Sequence, residues 1–114
     1  MQLYCGAFSV PAGKKDALMQ FIKDIQGPMK KDLEKSEKHL GIKKASWFLQ
    51  SSPEGDTLLI YMEANDIAKA FGDFAVSKEP FEVLARNTMK DFTGVDFSVP
   101  PQGPPPALLN TYGY

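Results

Sequence analysis

One cysteine, one histidine and one tryptophan are all that this 114-residue chain carries of those types, and the scarcity excludes several chemistries. A lone Cys5 cannot close an internal disulfide, so a reducing, cytoplasmic location is expected. Cys5 and His39 together cannot assemble a structural zinc site, and no metal is expected. The glycines form neither G-x-G-x-x-G nor a phosphate-binding loop, so nothing indicates a nucleotide, and no cofactor is expected. No apolar run approaches the ~20 residues of a membrane span. The opening MQLYCGAFSV lacks the basic region and long apolar core of a signal peptide. A formal charge of −1 argues against general nucleic-acid binding, which needs a strong basic excess. What is present is an ordinary soluble composition, large enough to bury a core without covalent staples.

Hydrophobic spacing supplies the elements. Residues 3–10 are a short, largely apolar run ending at Pro11-Ala12-Gly13, a strand and a turn. From Lys14 to Leu40 apolar residues recur at three- and four-residue spacing (Leu18, Phe21, Ile22, Ile25, Met29, Leu33), which predicts helix. Gly27-Pro28 interrupts the pattern, because proline removes a backbone donor and clashes with the preceding turn. The lysines and acids of the second half read as a solvated face with pairs such as Glu34/Lys38, and Gly41 is a suitable helix terminator. Asn65 or Asp66 caps a third helix carrying Ile67, Ala70, Phe71 and Phe74. Pro80 opens a fourth, with Phe81, Leu84, Met89 and Phe92 on one side and Gly94 at its end. Residues 95–99 alternate and are read as a brief fourth strand.

Between the helices, SWFLQSSPEGDTLLIYME reads as a hairpin whose two faces differ in chemistry. Pairing outward from Pro53-Glu54-Gly55-Asp56 sets Ser52 opposite Thr57, Gln50 opposite Leu59, Phe48 opposite Tyr61 and Ser46 opposite Glu63. One face then carries Trp47, Leu49, Leu58, Ile60 and Met62, a wall for helices. The other mixes Ser46, Phe48, Gln50, Leu59, Tyr61 and Glu63, the lining of a pocket or an interface.

The order strand, helix, strand, strand, helix pair, weak strand predicts an α+β fold, the ferredoxin-like split β-α-β sandwich with an antiparallel sheet and helices on one face. Residues 1–98 form the domain and residues 99–114 a proline-rich arm. Five of nine prolines fall between 100 and 106, which excludes helix and central strand and predicts an extended polyproline-like chain. Pro101-Gln102-Gly103-Pro104 formally matches P-x-x-P, a pattern common in any proline-rich tail. Leu108, Leu109, Tyr112 and Tyr114 make the end apolar, so it is expected to lie across a partner subunit or its own sheet edge.

Val10-Pro11-Ala12-Gly13-Lys14 resembles the turn into the first helix of the dimeric α/β-barrel superfamily. Within it, Ser46-Trp47-Phe48-Leu49-Gln50, Pro53-Glu54-Gly55-Asp56, Tyr61-Met62-Glu63 and Phe92-Thr93-Gly94-Val95-Asp96 resemble a small family of uncharacterised bacterial proteins. The resemblance covers most of the chain. It implies a homodimer with facing sheets, helices outside and a cavity between, in a superfamily that includes cofactor-independent monooxygenases, isomerases and plain ligand binders.

For the site, Tyr61 and Glu63 stand two apart on one strand and point the same way. With Phe48, Gln50, Ser46 and Leu59 they could orient a small organic compound, Glu63 acting as base with Tyr61. The alternative is that Tyr61 and Glu63 bond across an interface while Gln50 sits at a wet rim. His39 is read as a cation favourably placed at a helix C-terminus, against a catalytic acid or base. Cys5 and Trp47 are read as core, while the first strand leaves two choices open for the mixed face, Tyr4 and Phe8 or Leu3, Cys5 and Ala7. Two functions stay open: a small-molecule-binding barrel acting as oxygenase or isomerase, or a non-enzymatic homodimeric module with a filled cavity.

Overall fold

A computed structural model describes residues 1–100 and 103–113. The chain is α+β: β1 (Gln2–Val10), α1 (Lys15–Gln26), α2 (Lys30–Leu40), β2 (Ile42–Ser52), β3 (Gly55–Ala64), α3 (Ile67–Val76) and α4 (Pro80–Thr93). The three strands form one antiparallel sheet in the order β1-β3-β2. Because β1 and β2 both run against the β3 between them, the α1–α2 segment is the crossover of a split β-α-β unit.

The helix breaks follow the backbone chemistry. Around Pro28 the chain turns between α1 and α2, and the Met29 N–H bonds the Asp24 carbonyl at 2.8 Å. Gly41 and Gly94 end α2 and α4 at φ 72° and 74°, left-handed positions where a Cβ is costly. The Asp66 carboxylate caps α3 by accepting from the Lys69 N–H, and Pro80 starts α4. Arg86 closes the other end of α3, its Nη1 donating to the carbonyls of Phe74 and Ser77 at 2.6 and 2.8 Å.

The hairpin register differs from expectation by two residues. Gln50 pairs with Thr57, Phe48 with Leu59, Ser46 with Tyr61 and Lys44 with Glu63. The turn is Pro53-Glu54: Ser52 Oγ accepts from the Glu54 N–H at 3.2 Å and donates to the Gly55 carbonyl at 3.1 Å. Pro53 has its φ preset for the first turn position, and Gly55 takes φ 130° just after it. An even shift keeps every side chain on its face. Leu58, Ile60 and Met62 therefore join Leu18, Phe21, Met89 and Phe92 in the core, with Trp47 half-buried against Phe21. A bulge between Ile42 and Lys44 lets Ile42 face the helices as well.

Residues 95–99 form no strand, and none of the described residues pairs with the outer edge of β1. The Asp96 carboxylate takes both the N–H and the hydroxyl of Ser98 at 2.9 and 2.6 Å, and this local turn wins over strand pairing. Phe97 tucks against Phe8 and Phe74 instead. Of the two places expected for the arm, its own sheet edge is not taken by the described part: Leu109 is 94 % and Tyr112 99 % exposed. Pro101, Gln102 and Tyr114, and with them the P-x-x-P match, lie outside the described residues. Among the described residues the Glu34/Lys38 pair is also not formed; α2 does keep an otherwise solvated outer face.

Candidate functional site

Strand pairing places the chemistry of the uncovered sheet face in cross-strand rows. Leu3, Glu63 and Lys44 make one row; Cys5, Tyr61 and Ser46 the next; Ala7, Leu59 and Phe48 the third; Ser9, Thr57 and Gln50 the fourth. The six residues expected to form a site are thus gathered on one face. Tyr61 and Glu63 are joined directly: the phenol donates to Glu63 Oε2 at 2.7 Å, both side chains half-buried. Phe48 is 58 % exposed and Gln50 lies at the open end. A carboxylate held by a phenol, next to apolar Leu59, Phe48 and Leu3, can take a proton from a small compound or hold its polar group.

The structure settles the side of the first strand and adds one residue to this face. Cys5 is exposed beside Tyr61, a correction of its expected core role. The cause is parity: β1 sends Tyr4 and Phe8 toward the helices, which leaves Leu3, Cys5 and Ala7 outside. Gly6 lies between those two rings, and a Cβ there would collide with Tyr4 and crowd Phe8. Lys44, not Ser46, stands in register with Glu63, because the turn closes one residue earlier than expected.

A second constellation lies on the helical side. Glu82 of α4 is 1 % exposed, yet its carboxylate is saturated. Ser36 Oγ donates to Oε2 at 2.7 Å, His39 Nδ1 sits 3.0 and 3.1 Å from the two oxygens, and the Ser77 hydroxyl also bonds it. Burial pushes this carboxyl up, but the hydrogen bonds from Ser77, His39 and Ser36, with the His39 charge, outweigh it and hold the acid below its ordinary value. The hydrogen bond and charge of Glu82 in turn raise the His39 imidazole. His39 stands in the last turn of α2 as expected, but its main partner is a buried acid. Glu82 was passed over because an acid among Phe81, Leu84 and Ala85 reads as helix surface. Leu84, expected inside, is instead 41 % exposed. The Ser36/His39 spacing of three residues was the available signal.

Beside this cluster α2 and α4 enclose a groove of ≈ 520 Å³ that includes Met29, Lys35, His39, Phe81 and Leu84. Glu37, on the same helix, points instead toward a cavity of ≈ 100 Å³ between helices and sheet, near Leu33, Ile42 and Trp47. Burial, and then the charge of Glu82, raise its carboxyl from 4.5 to about 7.

Among the described residues no group of three His, Cys, Asp or Glu side chains could hold a metal ion, and no helix is long and apolar enough to cross a membrane. No protein-family model, curated protein or solved structure matches the chain.

Proposed function

We propose that this chain acts as a homodimer in which two uncovered sheet faces meet and enclose a site for a small organic compound. The observation that carries this reading is the mixed chemistry of the sheet face turned away from the helices. That face sets Phe48, Leu59 and Leu3 around the hydrogen-bonded Tyr61–Glu63 pair, and no helix of the described residues packs over it. The β1-β3-β2 order is that of a ferredoxin-like subunit without its edge strand, the unit from which dimeric α/β barrels are built.

Area arithmetic supports a role for the arm. Three strands about 4.8 Å apart and nine residues long cover roughly 400 Å² of face, about half of the ~800 Å² per partner in a stable interface. Leu108, Leu109 and Tyr112, exposed on the arm, supply the remainder when laid across the partner. In the enclosed site Glu63 removes a proton from the bound compound while Tyr61 orients the carboxylate. That step opens both an isomerisation and a cofactor-independent oxygenation with dioxygen as co-reactant. A cytoplasmic location fits the exposed, unpaired thiol of Cys5.

Sedimentation equilibrium at micromolar concentration tests the assembly: a dimer is expected, weakened by Phe48→Glu, and a monomer overturns the reading. In a crystal of the dimer, an enclosed space above ~300 Å³ supports ligand binding. Phe48 and Tyr61 packed solid across the interface would make the protein a non-enzymatic interaction module.

A further inference from the structure

Helical spacing sets Ser36 and His39 on one face of α2, and that face meets α4 at Glu82. The carboxylate takes the His39 ring through Nδ1, which leaves Nε2 as the free nitrogen of a side chain that is 49 % exposed. This is the arrangement in which a buried acid fixes the tautomer and orientation of an imidazole whose other nitrogen handles protons. Ser36 and Ser77 occupy further lone pairs of the same carboxylate and stop it from turning away from the ring. A purely structural tie between two helices needs no open space beside it, yet here His39 itself lines a groove.

We propose that the α2–α4 groove is a second binding site, separate from the sheet face, for a neutral compound with an aromatic or similarly apolar body and a weakly acidic O–H. His39 Nε2 accepts the O–H hydrogen and can take the proton outright. The O–H bond then breaks with its electron pair left on oxygen, an Nε2–H bond forms, and the Glu82 carboxylate offsets the imidazolium charge. Glu82 is a positioning residue. Met29, Phe81 and Leu84 offer the apolar contact, the thioether being well suited to a ring. The groove's lining carries charges of both signs, with the acids in excess. Asp32, Glu79 and Glu82 disfavour a free anion, and a cation beside Lys35 would be repelled by a protonated His39 only at low pH. A volume of ≈ 520 Å³ lies within the range of small-molecule sites.

The charges that act on His39 come from Glu82 on α4, Glu79 just before it and Asp73 on α3, and Asp32 and Lys35 of α2 border the groove with it. All three acids raise the imidazole, so binding through a free Nε2 should strengthen as pH rises through the His39 midpoint.

The test uses the full chain with nitrogen-15-labelled histidine and 4-cresol as probe. The cresol should move the His39 Nε2 resonance saturably together with the Met29 and Leu84 methyls. His39→Gln, at a half-exposed position, should weaken binding roughly tenfold, the worth of one such hydrogen bond. Leu84→Lys, on the exposed rim, should block the groove without touching the fold. Glu82→Gln should lower the His39 midpoint toward its ordinary value, with Glu82→Asp restoring part of the shift. The proposal is overturned by a His39 resonance that never saturates, by undiminished binding in His39→Gln or Leu84→Lys, or by shifts confined to Phe48 and Leu59. A His39 midpoint unmoved in folded Glu82→Gln would remove Glu82 from its role.

Discussion

Replacing Glu37 with glutamine should stabilise the protein, and only above a defined pH. The Glu37 carboxyl sits at the edge of an apolar cavity, with no ion pair or hydrogen bond among those of the described residues to offset its burial. Its folded-state value of about 7 lies above the 4.5 of an unperturbed carboxyl. A raised carboxyl contributes fully below the unfolded value, and that contribution is lost as pH rises through the folded one. Wild-type stability from this group should therefore fall between pH 4.5 and about 7, by at most about 1.4 kcal/mol per pH unit, and level off beyond. The total is about 3 kcal/mol as an upper bound, a sizeable share of the roughly 5–15 kcal/mol of a typical domain. The amide imitates the protonated acid, so Glu37→Gln should match the wild type near pH 4.5 and exceed it by roughly 2–3 kcal/mol at pH 8. Urea midpoints of both proteins across this range, at equal slope, give the difference directly. His39 and Glu82 titrate in both proteins and largely cancel. A stability difference that stays constant from pH 4.5 to 8 would refute the reasoning, because it would mean that Glu37 ionises in the fold as easily as in the unfolded chain.

Phe92 is fully buried against Phe21, and Phe92→Ala should cost about 3–5 kcal/mol in chemical denaturation. Gly94→Ala meets no neighbouring atom but must hold φ 74°, so a loss of about 1–2 kcal/mol is expected from backbone strain alone, read by thermal melting. Truncation after Val99 should leave the melting of a dilute, monomeric sample within about 0.5 kcal/mol of wild type while weakening dimerisation at higher concentration; an unchanged dimer would detach the arm from assembly. Glu63→Gln should abolish any turnover at the sheet face with little change in melting, since the amide keeps the size of the side chain but cannot act as a base.

The local half of this protein is written in its sequence. Gly27-Pro28, Gly41, Asp66, Pro80 and Gly94 each act through their own backbone or side chain within a few residues, and all helix boundaries but the start of α1 and the end of α3 follow from them. The faces of the hairpin were equally legible, because side-chain parity survives a shift of two residues; for that reason Ser46, Phe48, Gln50, Leu59, Tyr61 and Glu63 do share one surface. The tertiary structure decided what depends on contacts distant in the chain. Strand pairing with β3 turned Cys5 outward. The Asp96–Ser98 turn and the seat of Phe97 between Phe8 and Phe74 kept residues 95–99 from forming a strand. Glu82 belongs to the same class. An acid between Phe81 and Val83 is read as solvated until a helix 43 residues away in sequence brings His39 and Ser36 to it, and only that packing makes a buried charge affordable.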